Sequence, residues 1–493
     1  IDLFMIGDGE ELFEKVCIAR RDSASKKEFL ETVSQFDGVY IPGFYEPEYN
    51  EDGTIRNIRK LNDKAPDRVR RALISDLEKA DFPVKNIVPF IETVHDRSVV
   101  ETFRGCTRGC RFCQAGMIYR PVRERKKETI ERIAEEQLAN TGHDELSLLS
   151  LSTSDYSRFE DLATELMEMC AAQNVALSLP SLRLDSFSFK VLDDIQGYRK
   201  SGLTFAPEAG SQRLRNIINK NITEENIYGA VEQAVELGWN HIKLYFMDGL
   251  PGETYEDLDG IGEIARNIMD INYRLRGRQG GRFRVTISVS NFVPKPHTPF
   301  QWAAQDTPEM FRDKHVYLTK KLKIKGVTFN YHETNTSNLE AVFARGDRRV
   351  GRVLEAAHRL GCRFDGWTEH FKAELWQKAF EETGIDPDFY CYRERSYDEI
   401  LPWDIVDPLV TKEFFIRENE KAKKELVTPD CRLGCAGCGM NRFTECFKGA
   451  EFDAPGSAKR QPSEDPQVKQ PSEGQSSEVQ LSDQQSCGEV SDV

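Results

Sequence analysis

The sequence predicts an α/β fold: a partial, TIM-like (βα)6 barrel between a Rossmann-like N-terminal segment and an α-rich C-terminal module. From residue 97 to 295, short apolar strands alternate with helices whose apolar residues share one face, which is typical of parallel βα units. We count six units, fewer than a closed eightfold barrel contains. The predicted strands span residues 98–103, 146–151, 176–179, 203–206, 241–247 and 284–292.

Three cysteines directly follow the first predicted strand. Cys106, Cys110 and Cys113 stand in a C-x3-C-x2-C spacing, too close together for ordinary disulfide pairing. This spacing suits one face of a [4Fe-4S] cluster, which normally takes four cysteine ligands, so that one iron is left open to a ligand other than protein. Structural zinc is the alternative, although zinc sites usually need four ligands.

The stretch from Phe103 to Gly116 resembles the cysteine segment of the radical S-adenosylmethionine (SAM) superfamily. In that superfamily SAM chelates the open iron, and an electron passed into its sulfonium yields a 5′-deoxyadenosyl radical. The resemblance implies that Phe112 lies beside the SAM adenine. It also implies a reductant such as flavodoxin or ferredoxin as a partner.

A run of hydroxyl side chains follows the second predicted strand. Ser152, Thr153 and Ser154 occupy the place where the superfamily often has a Gly-Gly-Glu-like segment that binds the SAM amino group. The resemblance therefore implies that these three residues bind the cofactor. A polar turn that caps a helix is the alternative interpretation.

Segments after the fourth and fifth predicted strands supply the remaining cofactor candidates. The resemblance to methylthiotransferase-like radical SAM proteins implies that Glu208 and Ser211 contact the ribose and methionine parts of SAM. Gly210 would let the backbone approach a ligand closely. Gly249 lies in a glycine-rich turn that the superfamily places beside the adenine.

A second cysteine set lies in the C-terminal module, where helices are predicted over 311–323, 338–360 and 371–383. Cys431, Cys435 and Cys438 repeat the spacing of the first set, and Cys446 follows eight residues later as a candidate fourth ligand. Four thiolates complete either an auxiliary iron–sulfur cluster or a zinc site, and the spacing does not separate the two.

Four parts make up the predicted domain organisation. Residues 1–85 resemble the end of a cobalamin-binding-type domain and its linker, and we expect a natural start to be missing because Ile1 lies inside a predicted strand. An ordinary βα unit is the alternative interpretation of this segment. The segment carries no Asp-x-His-x-x-Gly cobalt-ligand motif, so cobalamin binding is unsupported by the sequence. The radical SAM core covers 86–302 and the C-terminal module 303–450. Residues 451–493 have the composition of a disordered acidic tail.

Charge and composition narrow the partners and the compartment. A net charge of −15 argues against a globally basic nucleic-acid binder, but local basic stretches keep RNA a candidate substrate. The sequence has no apolar run long enough for a membrane span and no signal sequence, which predicts a cytoplasmic protein with no membrane partner. Of its 12 cysteines, the seven in the two sets indicate metal ligation in a reducing compartment.

Further motifs extend the resemblance to a bacterial family that fuses a cobalamin-binding-type domain to a radical SAM core. They are His95-Asp-Arg97, the run from Arg120 to Arg125, and Asp430-Cys-Arg432. The resemblance implies an enzyme that cleaves SAM reductively and modifies an unidentified substrate, RNA or protein, for example by methylthiolation. Two alternatives stay open: a zinc-stabilised binding or scaffold protein, and a barrel that binds SAM without cleaving it.

Overall fold

Seven parallel strands form the centre of the fold in this computed structural model, which describes residues 1–91, 93–179, 183, 203–277, 283–444 and 446. Contacts divide the chain at residue 449, and the predicted acidic tail lies outside the described residues. The strands belong to two sheets that share no backbone ladder in this described part. The predicted α/β fold class is therefore confirmed. The described parallel strands form two sheets and, as predicted, no closed barrel.

The first sheet has three parallel strands, with Glu145–Leu149 between Ala176–Ser178 and Ser98–Glu101. Helices Lys127–Thr141 and Phe159–Ala172 cover it, because their apolar faces bury leucines and isoleucines against the strands. The first of these helices ends at a left-handed glycine, Gly142.

The second sheet has four parallel strands, in the order Leu203–Glu208, His241–Asp248, Arg284–Asn291 and Val327–Tyr331. The two central strands alternate strictly between buried and partly exposed residues. The largest apolar core lies between this sheet and its helices. Those helices are Glu224–Glu236, Tyr255–Arg276 and Pro308–Lys321.

The remaining elements surround these sheets. Phe4–Met5 pairs antiparallel with Val39–Tyr40, and Val69–Arg70 pairs parallel with Val406–Asp407, which joins an N-terminal segment to a C-terminal one. The other strands are Tyr45–Tyr49, Ile55–Lys60, Phe103–Arg104 and Arg123–Glu124. The other helices are Glu10–Asp22, Lys26–Val33, Ala115–Ile118, Gln212–Ile217, Thr334–Arg345, Val350–Leu360, Ala373–Thr383, Pro387–Cys391 and Lys412–Lys423. None of the described helices is both long and apolar enough to cross a bilayer.

All six predicted strands are present, with ends shifted by a few residues, but the α-rich prediction beyond residue 302 missed a strand. Val327–Tyr331 extends the second sheet, and its residues are half-buried or exposed, so the sequence lacks a strong apolar signal there. The single helix predicted over 338–360 is two helices. They separate at Gly346 and Asp347, where the Asp347 carboxylate accepts a hydrogen bond from the Arg349 N–H (2.9 Å).

A buried ion pair attaches the loop of residues 105–113, here called the cysteine loop, to the C-terminal helix Lys412–Lys423. The fully buried Arg111 guanidinium lies 3.1 Å from the Glu418 carboxylate. It also donates to the carbonyls of Ile217 (2.9 Å) and Leu426 (2.7 Å). The cysteine loop is thereby joined to two segments that are distant in sequence.

Further hydrogen bonds to the backbone strengthen this attachment. The Asn219 side chain donates to the carbonyl of Gly109 (3.1 Å) and accepts from the Thr428 N–H (2.7 Å). The Cys431 N–H donates to the carbonyl of Thr107 (3.1 Å). The segment after the C-terminal helix therefore lies directly against the cysteine loop.

The turn after strand Leu203–Glu208 packs backbone against backbone on helix Tyr255–Arg276. A Cβ atom at Gly210 would overlap the carbonyl oxygen of Asp257 and lie 2.5 Å from the Ile261 nitrogen. Gly260 faces this turn in the same way, with a Cβ position only 2.6 Å from the Gly210 oxygen. The close approach predicted for Gly210 is thus made, in this structure, to a helix.

Gly210→Ala is expected to lower the free energy of unfolding by about 1–3 kcal/mol, because backbone atoms must move to admit the methyl group. Gly229→Ala is the matched control, since nothing lies within 4 Å of its Cβ position inside helix Glu224–Glu236. It should raise stability by about 0.5–1 kcal/mol. Urea unfolding measures both, and equal effects of the two substitutions would contradict the packing described.

Removing Glu418 is expected to cost about 3–5 kcal/mol, because the Arg111 charge then stays buried and unpaired. Removing Arg111 should cost less, because Glu418 keeps the Lys421 ammonium at 3.0 Å. Arg111→Met and Glu418→Gln test each side, and the double variant should lose less than the sum of the two. The exposed pair Arg132–Glu136 is the control, with an expected cost below about 1 kcal/mol. A double-mutant cycle by urea unfolding decides, and strictly additive losses at the buried pair would refute the coupling.

Candidate active site

The three thiols of the cysteine loop share one sheltered region at the carboxyl end of the first parallel strand. Cys110 is buried, and Cys106 and Cys113 are half-buried. Burial raises the pKa of Cys106 to about 12, and the neighbouring thiols of Cys110 and Cys113 add to that rise. Because metal ligands must be thiolates, a bound cation is needed to favour the ionised form here.

The donor chemistry of this loop fits an iron–sulfur cluster, which takes soft sulfur ligands. The Gly116 N–H donates to the Cys113 sulfur (3.3 Å), so one sulfur already accepts a backbone hydrogen bond. Across the described residues, no three Cys, His, Asp or Glu side chains are already arranged to hold a metal ion. The thiols must therefore reorient to share one.

Phe112 lies where the ends of several strands meet. Its partly buried ring packs on an apolar cluster that includes Ala209, Leu250, Phe292 and Phe300. Ala209 follows the strand ending at Glu208, and Leu250 belongs to the glycine-rich turn. The structure therefore brings Phe112 together with neighbours of three predicted cofactor residues, Glu208, Gly210 and Gly249.

Glu208 forms an ion pair beside the cysteine loop. Its carboxylate lies 3.1 Å from the Lys220 ammonium, and both groups influence the thiol of Cys113 electrostatically. Glu208 adopts a φ of +69°, which is uncommon for a residue with a side chain, where the pairing register of its strand shifts. Sequence reasoning missed Lys220. The flanking residues Asn219 and Asn221 both have positive φ. Because Asn is enriched in this conformation, the Asn-Lys-Asn run is the sequence signal for a turn that positions Lys220.

Ser152, Thr153 and Ser154 are buried in a short 3-10 turn after the second strand, and their hydroxyls already have protein partners. Ser152 donates to Asp155 (2.6 Å), and Thr153 is 3.0 Å from the Ser150 hydroxyl. Ser154 accepts from the Arg183 N–H (3.1 Å). The following helix has Arg158 at its N-cap without a side-chain bond, so these hydroxyls do not cap it.

Asp155, which sequence reasoning did not single out, connects three parts of the site. It accepts from Arg108 of the cysteine loop (2.9 Å) and from Arg432 of the C-terminal segment (3.1 Å). Burial opposes its ionisation, but Arg108, Ser152 and Arg432 together outweigh burial and lower the pKa of Asp155 to about 2. The carboxylate is therefore a permanent anion under the cysteine loop.

Ser211 and Gly249 have local structural partners. The Ser211 hydroxyl accepts from the Leu214 N–H (3.0 Å) as an N-cap and donates to the Asp257 carboxylate. Gly249 has a φ of +74°, and its N–H donates to Glu253 (2.9 Å). It lines a cavity of about 460 Å³ at the end of strand His241–Asp248.

The second cysteine set lies next to the first. Burial and then the thiols of Cys438, Cys435 and Cys431 raise the pKa of Cys446, so all four predicted sulfurs share one neighbourhood. Cys438 is buried, and Cys435 is exposed. The structure thus brings together the members of each predicted set.

Comparisons with known proteins show which family the chain resembles. The family described as the Radical SAM superfamily matches residues 100–265. An uncharacterized protein of Methanocaldococcus jannaschii is 33% identical over 320 residues, which cover 65% of this chain and 68% of that protein. An uncharacterized methyltransferase of Pyrococcus horikoshii is 25% identical, over 55% of this chain and 54% of its own, so the chain spans about half of that relative's length.

Among solved structures, the fold is similar to the radical SAM methyltransferase TsrM from Kitasatospora setae with cobalamin and a [4Fe-4S] cluster bound. That likeness has a TM-score of 0.44 and 12% identity, and it covers 78% of this chain and 77% of TsrM. The M. jannaschii relative and the superfamily match decide the assignment. This chain belongs to the radical SAM superfamily, whose members use SAM and an iron–sulfur cluster, and it is an enzyme.

Proposed function

We propose that Cys106, Cys110 and Cys113 hold a [4Fe-4S] cluster whose open iron binds SAM. When bound, the cluster and SAM supply a 5′-deoxyadenosyl radical through reductive cleavage of SAM. One observation carries the proposal: the three thiols share a buried loop at the carboxyl end of the first parallel strand in a radical SAM chain. In barrels of βα units, active sites are built at that end.

The residues around the cysteine loop orient and shelter the cofactor in this proposal. Phe112 offers an apolar ring to the adenine, supported by its packing near the turn that contains Leu250. Glu208 accepts hydrogen bonds from the ribose, supported by the position of its ion pair beside Cys113. Further cofactor-binding residues in the proposal are Ser152, Thr153, Ser154, Gly210, Ser211 and Gly249.

The substrate in this proposal is RNA or protein, and the reaction is methylthiolation or another group transfer. The name of the P. horikoshii relative, a methyltransferase, supports transfer of a one-carbon group. A flavodoxin- or ferredoxin-type protein supplies the electron, and we place the enzyme in the cytoplasm.

Cys106→Ala is expected to abolish dithionite-dependent 5′-deoxyadenosine formation, because a cluster with only two thiolate ligands from this loop is not held. The protein is reconstituted anaerobically with iron and sulfide, and the product is measured by liquid chromatography. Cys17→Ala is the matched control, since Cys17 is an exposed thiol on helix Glu10–Asp22. Undiminished product from Cys106→Ala would refute the proposal, and SAM binding by calorimetry without any product would indicate a non-catalytic barrel.

Glu208→Gln is expected to weaken SAM binding by about 10- to 100-fold, because a hydrogen bond to a charged acceptor contributes about 1.5–3 kcal/mol. Iron content should stay at the wild-type value, since Glu208 does not ligate the cluster. The control Glu225→Gln changes an exposed carboxylate on helix Glu224–Glu236. Calorimetry with SAM measures the effect, and an unchanged affinity would remove Glu208 from the binding site.

A further inference from the structure

The second cysteine set is bonded directly to the first loop. The Cys431 N–H donates to the carbonyl of Thr107, the residue after Cys106, at 3.1 Å. The Asp430 carboxylate accepts from the Thr107 hydroxyl at 2.8 Å. The residues that begin the second set therefore lie against the residues that begin the first.

The segment that carries the second set is well anchored. Arg417 donates to the carbonyls of Ala436 (2.8 Å) and Gly437 (3.0 Å). Cys438 and Cys446 pack in the same apolar cluster, which also contains buried tryptophan and phenylalanine side chains. The Gly437 N–H donates to the Cys435 sulfur at 3.4 Å, as the Gly116 N–H does to Cys113 in the first loop.

A buried arginine lies beside the apolar cluster that contains Cys438 and Cys446, because its guanidinium stacks on Phe414 of that cluster. Arg120 is 3% exposed. Burial alone would lower its pKa, but the nearby thiols of Cys431, Cys438 and Cys106 raise it. Its Nε donates to the Gly116 carbonyl (3.1 Å), and its guanidinium lies 5.2 Å from the centre of the Phe414 ring. Its Nη1 has no hydrogen-bond partner in the described part of the chain.

A buried guanidinium with an unsatisfied N–H is costly unless an anion faces it. Neutral thiols do not supply that charge. Four thiolates on Zn²⁺ or on a [4Fe-4S]²⁺ core carry a net charge of −2, by simple addition of four negative charges and two positive ones. Binding of Zn²⁺, or of a preformed [4Fe-4S]²⁺ core, releases the four thiol protons to the solvent and changes no oxidation state.

We infer that Cys431, Cys435, Cys438 and Cys446 hold a second, tetrathiolate metal centre of net negative charge, and that Arg120 is the positioning cation between this centre and the cysteine loop. The second centre would fix the segment from 426 to 438 against the cysteine loop. Only the role of Arg120 toward the cysteine loop rests on the proposed function. The metal-binding part stands independently of SAM cleavage.

The test of the centre uses the full chain with the first site removed. The triple variant Cys106→Ala, Cys110→Ala, Cys113→Ala is purified anaerobically and assayed for iron, sulfide and zinc. We expect one remaining centre per chain, either about four irons and four sulfides or about one zinc ion. A triple variant that melts like the wild type but carries neither metal would overturn the inference.

A second variant keeps the test decisive if the triple variant does not fold. The double variant Cys435→Ser, Cys446→Ser keeps the first cysteine set intact. Its metal content should be lower than that of the wild type by one centre, either about four irons or about one zinc ion. Cys17→Ser, an exposed cysteine outside both sets, is the control and should lose none. Full metal content in the double variant would overturn the second centre. Wild-type production of 5′-deoxyadenosine in that case would leave the proposed function intact.

Arg120 is tested in the triple-variant background, where only the second centre can hold metal. Arg120→Met should speed metal release to a chelator about tenfold, the lower end of the effect of losing a residue that supports metal ligands. Arg120→Lys keeps the charge and should restore slow release. An Arg120→Met protein that releases metal at the unchanged rate, or a Lys variant that fails to rescue, would overturn the cation's role.

Discussion

The buried pair of Arg111 and Glu418 is the interaction on which the geometry of the cysteine loop depends. Replacing both partners of such a pair with apolar groups often costs little, whereas leaving one charge unpaired costs several kcal/mol. The pair therefore specifies a geometry more than it adds net stability. Because Arg111 also donates to carbonyls of residues 216–217 and 426, its guanidinium joins the loop to helix Gln212–Ile217, to helix Lys412–Lys423 and to the segment after it. A site near residue 110 thus depends on residues three hundred positions away.

The parallel sheets place the other site residues by bringing strand ends to one region. Phe112 meets side chains that follow three strands of the second sheet, because parallel strands end on the same edge. The turn after Glu208 comes this close to helix Tyr255–Arg276 only because Gly210 and Gly260 both lack a side chain. Glycine there is required by packing inside the protein, whatever contact the backbone also makes with a ligand.

The sequence predicted what repeats at short range and missed what depends on distant contacts. The six strands and the members of both cysteine sets follow from periodicity and spacing, whereas Val327–Tyr331 was missed because its exposure is that of a sheet edge. The helix over 338–360 was predicted as continuous because the residues on both sides of Gly346 keep a helical pattern. A single glycine in such a pattern did not reveal the break. Lys220 and Asp155 were missed for another reason: their partners, Glu208, Arg108 and Arg432, are identified only once the chain is folded.

Charge balance around the cysteine loop distinguishes Arg120 from its neighbours. Arg108 faces the carboxylates of Asp155 and Asp430, and Arg111 faces Glu418. The buried Arg120 guanidinium faces the Phe414 ring instead, and its Nη1 has no hydrogen-bond partner in the described part of the chain. A protein interior disfavours an uncompensated cation, so an anion near Arg120 would offset the cost of burying its guanidinium. The simplest arrangement that neutralises the guanidinium is one in which the surrounding thiols are ionised, and metal binding is what ionises buried thiols.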